Sequence, residues 1–415
     1  MIKFATATLQ NGLKIVVHED PTTPLAVFNL LYDVGSRDEE PIHTGFAHLF
    51  EHLMFAGSAN VPDFEQPLYA ANGESNAYTS SDFTNFYAQL PAQNIETAFW
   101  IESDRMLALN VSNKSLKAQK GVVVEEFKET CLNQPYGDAY HALMAMAYHT
   151  HPYAWPVIGR DFTHIEKATL KYVKQFYKKH YLPNHAVLSV VGGVKSEHIF
   201  SLAQKWFGDI PTGEAYQHNL PPEPKQTAQR NQTICAEVPA AMLYMAFHMG
   251  QRFSKSYYAC ALLNEILSGG TSSRFYNELV KNNPMFSMVY SSLSYTLDDG
   301  LIIIEGQPLP NIPITTAEQA IWAMLDALKE HPVTAAEREK ALNKTHGIMA
   351  FSEISLTEKA FNLAFYHANN QLELFNTEMD LFEAITINDL QEEAKEVFRK
   401  ENCSVLHYLP NTVVD

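Results

Sequence analysis

Four cysteines in 415 residues, Cys131, Cys235, Cys260 and Cys403, include no C-x-x-C pair. That excludes a disulfide framework and a zinc ribbon, and it suits a reducing compartment. Basic residues are also short: 30 Lys and Arg stand against 47 Asp and Glu, a formal net charge of −17. A chain so balanced lacks the basic patches that neutralise phosphates, which argues against a nucleic-acid partner. Missing too is any apolar run near the roughly 20 residues that span a bilayer, so no membrane span is expected. The opening "MIKFATATLQNGLKIVVHED" has neither an apolar h-region nor a cleavage site. The expected localisation is cytoplasmic, or periplasmic if a leader has been removed.

What is present is an ordinary globular composition at a length too great for one core, so two or more domains are expected. "FATATLQNGLKIVVHED" and "LAVFNLLYDVGS" are rich in β-branched residues and bounded by Asn-Gly and Pro, and read as strands. Helical stretches follow at 43–57 and 94–109, and another starts after Ser112, a good N-cap. Residues 168–193 read as helix, Pro-Asn turn and buried strand, and 385–410 repeat that plan. Thr169 falls on Thr386, Tyr181 on Phe398 and Leu188 on Val405. "AHLFEHLMFAG" (47–57) matches "ALLNEILSGG" (261–270) at nearly the same offset. Ordered matches at one offset indicate duplication of a whole α+β domain. The polar, Pro-rich stretch 210–230 between the halves has the character of a linker.

The halves differ in their chemistry. On a helix His48 and His52 lie one turn apart, so both rings can converge on one ion. Glu51 lies beside them and can take a proton from a metal-activated water and pass it to a leaving amine. H-x-x-E-H is the inverzincin motif. A bare histidine pair at this spacing is more often packed or at a helix surface, so a third ligand decides. On a helical wheel of residues 113–132, Leu116, Val123, Phe127 and Thr130 form one stripe, and Gln119 and Glu126 fall inside it. Glu125 points away and Glu129 lies on the flank. A carboxylate on a buried face is costly unless paired or bound to a cation. Glu126 is therefore the expected third ligand, the other reading being a carboxylate neutralised by a Lys or Arg. The second half keeps Glu265 but has Leu262 and Ile266 near the histidine positions. His149 and His151, with no partner acid in view, read as loop residues, and His43 as a surface residue.

These residues and the duplication make the chain similar to the pitrilysin/insulinase family of inverzincin metallopeptidases, in its short two-domain branch related to mitochondrial processing peptidase. Landmarks along essentially the whole chain carry the resemblance: "GFAHLFEHLMFAGS", "GESNAYTSSDFTNFYAQLP", "QKGVVVEEF", "HPYAWPVIGR", "HYLPNHAVLSVVGGV" and "LSGGTSSRFYNEL". The fold expected is α+β: two homologous α/β half-domains, each a mostly antiparallel sheet packed with helices. Residues 1–213 would form a zinc-binding catalytic half, 214–230 the linker and 231–415 a non-zinc half. The resemblance implies one Zn2+ per chain on His48, His52 and Glu126, with Glu51 as general base. The family's distal glutamate ends an E-x6-E pattern, and that end falls on Glu126, while Gln119 occupies the first position. "SNAYT" corresponds to a strand edge where an extended peptide adds, which makes Asn76 and Ala77 the expected backbone contacts.

One departure is larger. Active relatives carry, in the non-zinc half, an Arg and a Tyr that hold the substrate near the scissile carbonyl. Those positions fall here on Val280 and Ser287, which offer neither a charged nor a phenolic donor to an oxyanion. The expected function is thus a zinc endopeptidase subunit acting on extended peptides or small proteins. It resembles the zinc-carrying member of a bacterial heterodimer whose zinc-less sister supplies Arg and Tyr. A homodimer using Tyr290 or Arg274 fits less well, because Arg274 matches a family position of its own. The alternative is a non-catalytic scaffold or assembly subunit of the same fold.

Overall fold

Asn11 and Gly12 turn the chain back on itself, because Gly12 takes a left-handed φ of +91° that side chains resist. The N-terminal segment is therefore a hairpin of β1 (Ala5–Thr8) and β2 (Lys14–Glu19). The computed structural model describes residues 1–214 and 218–411. Strands β3 (Leu25–Tyr32), β4 (Glu74–Thr79), β5 (Thr84–Pro91) and β6 (Ala186–Gly192) join that hairpin in the order β1-β2-β6-β3-β5-β4. A second sheet comprises β7 (Arg230–Ala236), β8 (Met242–Met249), β9 (Phe286–Leu293), β10 (Gly300–Pro308) and β11 (Cys403–Pro410), in the order β7-β11-β8-β10-β9.

Without β1, the two orders coincide strand for strand. Each sheet has one parallel pair, β2 with β6 and β7 with β11, and antiparallel pairs elsewhere. The residues matched in sequence take matching roles. Thr169 and Thr386 are both helix N-caps, and Tyr181 and Phe398 are the C-caps of the same two helices. The duplication is one of topology as well as of pattern.

The compact units are not contiguous in sequence. One comprises Met1–Phe127, Trp155–Leu220 and Met349–Thr377; the other Lys128–Ala154, Pro221–Ile348 and Glu378–Asp415. Each half thus lends a segment to the other's unit, where the sequence reading drew one boundary at a linker. Sheet burial explains it. Every residue of β6 is buried, so both faces of the first sheet must be covered. Helix Leu356–Ala368 supplies the cover, laying Ala360, Leu363 and Ala364 over β2, β3 and β6. In the other unit, helix Ala139–Ala147 covers β8 and β11 with Leu143, Met144 and Ala147. Of the expected linker, residues 215–217 lie outside the described residues. His218, just beyond them, sits in the first unit between Asp33 (2.9 Å) and Asp38 (2.7 Å).

Within the first unit, helix α1 (Phe46–Met54) carries the H-x-x-E-H motif. Phe46, Ala47, Leu49, Phe50, Leu53 and Met54 are buried, and Phe50 stacks on Tyr181 and Phe176 with ring centroids 5.1 and 5.2 Å apart. Beyond its C-terminus Phe55 lies under Arg105, whose guanidinium also stands 4.5 Å from the Phe64 ring and 4.2 Å from that of Phe86. Arg105 is buried and makes a bidentate pair with buried Glu102, both bonds 2.7 Å.

These buried charges make two measurable demands. Arg105→Ala leaves Glu102 buried and unpaired, so a loss of about 3–5 kcal/mol is expected in urea unfolding; combining Arg105→Met with Glu102→Leu, which removes both charges, restores most of it. An unchanged midpoint in the single variant would contradict this. The second concerns His218. Burial lowers its affinity for a proton, but the hydrogen bonds to Asp33 and Asp38 outweigh that and raise its pKa to about 9. A raised folded-state pKa means stability that is complete below the ordinary value of 6.5 and lost as pH rises through about 9. His218→Gln is therefore expected to cost about 3 kcal/mol at pH 6 and much less at pH 9.5. A cost independent of pH would refute the assignment.

Candidate metal centre

Helix α1 is buried along most of its circumference, and the remaining stripe is the i, i+3, i+4 row of His48, Glu51 and His52. Helix Asn113–Phe127 packs alongside and brings Glu126 to that stripe. His48 Nε2 and His52 Nε2 lie 3.3 Å apart. Glu126 places Oε1 3.6 Å from the first and Oε2 3.4 Å from the second. His48, His52 and Glu126 form a cluster whose ligating atoms lie within 4.8 Å of one another. Tetrahedral zinc with bonds of about 2.0–2.2 Å sets neighbouring ligand atoms roughly 3.3 Å apart, so these three donors fit one face of such a site. Burial, assisted by His52, lowers the His48 pKa to about 4, which leaves the ring neutral, the form that ligates.

Glu126 is less buried than the helical wheel anticipated: its side chain is 39% exposed. Thr130, placed on the same apolar stripe, is exposed, because the α-helix ends at Phe127 and the chain continues in a wider turn. Glu125 and Glu129 are exposed, and Gln119 is half-buried on the same helix.

Glu51 belongs to the stripe but not to the three-donor cluster. Its Oε2 accepts a hydrogen bond of 2.7 Å from Thr79 Oγ1 at the end of β4. Burial raises its pKa, and the Thr79 bond pulls the other way. Thr79 was not singled out in the sequence, where it reads as one more β-branched strand residue. Asn76 and Ala77 lie on β4, the edge strand of its sheet. The Asn76 side chain is exposed, and its Oδ1 accepts the Ala77 N–H at 2.8 Å.

At the head of α1 is a residue that sequence reasoning missed. The N-cap is Gly45, with φ +85° and no side chain to accept from the first turn; a Cβ there would meet the Ile158 carbonyl at 2.8 Å. Glu39 acts in its place. Its Oε2 accepts from Gly45 N at 2.9 Å and its Oε1 from Ala47 N at 2.8 Å. Trp155 Nε1 donates to the same carboxylate at 3.1 Å. Burial pushes the Glu39 pKa up, while the N–H groups of Ala47, Gly45 and Trp155 pull it back by favouring the carboxylate they donate to. The signal in the sequence was an acid six residues ahead of the Gly that precedes the helix.

The second half shows the same helix without the donors. In helix Lys255–Ser268, Leu262 and Ile266 are core residues, and Glu265 pairs with Lys344 at 2.7 Å. Arg274 is engaged by Glu337 through bonds of 2.7 and 3.0 Å. Val280 is half-buried, and Ser287 donates to the Gln307 carbonyl. His151 is buried and does have a partner acid, Asp298 at 3.4 Å, while Glu223 accepts the backbone N–H groups of His149, Thr150 and His151. Their sequence separation hid both acids.

Two family models match in succession, "Insulinase (Peptidase family M16)" over residues 14–161 and "Peptidase M16 inactive domain" over residues 167–345. The chain belongs to the M16 peptidase family. It is 28% identical to "Zinc protease PqqE" of Helicobacter pylori, over 98% of this chain and 93% of that one. The solved structure of a protease from Helicobacter pylori superposes with a TM-score of 0.93 at 28% identity, covering 99% of this chain and all of the other. Mitochondrial-processing peptidase subunit beta of Saccharomyces cerevisiae is 30% identical over 51% of this chain and 46% of its own length. Among the described residues, no helix of this M16 chain is long and apolar enough to cross a membrane.

The three donors are expected to bind one zinc ion per chain, measurable by competition with a chromophoric chelator. His48→Ala or His52→Ala should weaken binding by at least about 100-fold, and Glu51→Gln should leave it near wild type. A His52→Ala chain with undiminished affinity would place the ion elsewhere.

Proposed function

We propose that this chain is a zinc-dependent endopeptidase subunit that hydrolyses extended peptides or small proteins and needs a partner subunit for full activity. The observation that carries the reading is the face of three donors beside Glu51, a carboxylate outside that face. His48, His52 and Glu126 would hold one Zn2+, which supplies Lewis-acid polarisation of a carbonyl and of water. Glu51 then takes the proton of the attacking water and returns it to the leaving amide nitrogen, which makes it the general base and acid of the reaction. Thr79 holds one carboxylate oxygen, leaving the other to meet the water.

Substrate adds as a strand at the β4 edge, where the Asn76 side chain gives up the Ala77 N–H to the incoming backbone. Acidic net charge favours basic peptides at the encounter stage. The partner requirement rests on Val280 and Ser287, which leave this chain without the Arg and Tyr that its family uses at the scissile carbonyl. A relative named as a subunit, the beta subunit of the yeast processing peptidase, supports the same reading. A zinc-less sister subunit, in a heterodimer, is the proposed partner, and the proposed location is the cytoplasm, or the periplasm where a leader has been removed. The contrast between halves counters the scaffold alternative: the second has core aliphatics at both histidine positions, and the first carries all three donors.

The test uses purified chain, alone and with a copurifying sister that lacks the histidine pair, on an unstructured peptide. Turnover is expected to rise at least about 100-fold on pairing, the scale of one lost oxyanion donor. Full turnover by the lone chain would overturn the partner requirement. In the active complex Glu51→Gln should retain zinc and lose at least about 1,000-fold in kcat. Undiminished cleavage by that variant would overturn the mechanism.

A further inference from the structure

We propose that Glu39 is a positioning residue for the metal centre: its carboxylate fixes the first turn of α1, and through that turn the aim of His48. The inference rests on the reading that His48, His52 and Glu126 bind zinc.

Helix α1 has nine residues, too few to be stable by propensity, and its first N–H groups need acceptors from outside. Gly45 can offer none. Glu39 reaches in from the preceding turn with a fork, one oxygen on Gly45 N and the other on Ala47 N. Two bonds to two points of one turn fix the rotation of the helix about its axis as well as its height. Ala47 directly precedes His48, so the constraint acts one residue from a ligand.

The mount is itself held. Trp155, 3% exposed, donates its indole N–H to Glu39 and to the Ser36 carbonyl, each at 3.1 Å. Gly159 packs against Gly45 so closely that a Cβ on it would stand 3.1 Å from the Gly45 Cα. Thr44 Oγ1 accepts the Arg160 N–H at 2.8 Å. Segment 155–160 therefore clamps the entry to α1.

A second observation explains why the backbone must carry this precision. Metal-binding histidines commonly donate their other ring N–H to a carboxylate or carbonyl that fixes the ring. The buried Nδ1 of His48 has no hydrogen-bond partner among the described residues. Its Nε2 is aimed by the helix and by packing alone. A third concerns cost. Glu39 is 6% exposed and, among the described residues, is bonded by N–H donors and by no Lys or Arg. A helix that needed only closure could carry Ser or Asp at the N-cap, without burying a carboxylate.

The test measures zinc affinity of the folded full-length chain by chelator competition, with the visible spectrum of the cobalt(II)-loaded chain as a readout of ligand geometry. Glu39→Gln keeps the size but sets an NH2 against an N–H, and is expected to weaken zinc binding about 10- to 100-fold and to change the cobalt spectrum. Trp155→Phe, which removes one donor and leaves the fork, should weaken binding a few-fold in the same direction. A merely structural role would lower the melting temperature while leaving affinity and spectrum of the folded protein unchanged, and that result overturns the proposal. Should Glu39→Gln fail to fold, unchanged affinity and spectrum in Trp155→Phe overturn it equally. His48→Ala with wild-type zinc affinity would instead overturn the metal reading beneath it.

Discussion

A buried carboxylate bound to the first turn of a nine-residue helix is the constraint on which the site depends. Helix α1 does two things at once: it buries six apolar side chains and presents His48, Glu51 and His52 on its remaining stripe. Packing fixes such a helix against its neighbours but tolerates small rotations, and a rotation moves ring nitrogens at the end of long side chains furthest. The two ends of α1 are restrained by different means. At the head the Glu39 fork bonds the backbone; past the tail Phe55 lies in the aromatic group covered by the Arg105 guanidinium. Both devices bury charge close to the stripe. That costs stability, and the expense is reasonable only where position matters more than stability.

The duplication supplies an internal comparison. The second copy has the same strand order, parallel pair and capping threonine, yet its equivalent helix carries Leu262 and Ile266 where the first has histidines. Glu265, matched to Glu51, pairs with Lys344. With Leu262 and Ile266 in those places the helix packs on that side, and its glutamate is paired with a cation. The fold therefore does not require polar residues on that stripe. Their presence in the first copy calls for a chemical explanation.

Much of this was legible in sequence, for reasons that can be named. Periodicity and β-branching located β3, β6 and β11, because those segments answer to local patterning. The repeat was visible because equivalent turns need equivalent residues, such as Thr169 and Thr386 at N-caps. Glu126 was reached from helical phase, although the burial argument behind it was too strong: the carboxylate is partly open, and its neighbours are imidazoles. What was not legible depends on contacts between distant segments. No local pattern tells that helix Leu356–Ala368 covers the sheet of the first unit, or that Glu223 caps the amides of residues 149–151. Glu39 was hidden for the same reason, since its meaning lies in Gly45, Ala47 and Trp155 together.

Glu51 brings the local and the distant together. A general base must hold a proton long enough to transfer it, which favours a pKa close to the working pH. Burial moves Glu51 toward that condition, and the Thr79 hydroxyl restrains the move by favouring the carboxylate. Thr79 is the last residue of β4, the edge strand to which, on the proposed reading, an extended peptide adds. The hydroxyl that holds Glu51, the proposed base, is thus part of the strand that would receive the substrate. A peptide pairing with β4 would order the backbone that carries Thr79, and the Thr79 bond would pass that order to Glu51. On that reading binding and chemistry would share one strand, so a peptide held out of register there would also meet a base that is less well aimed.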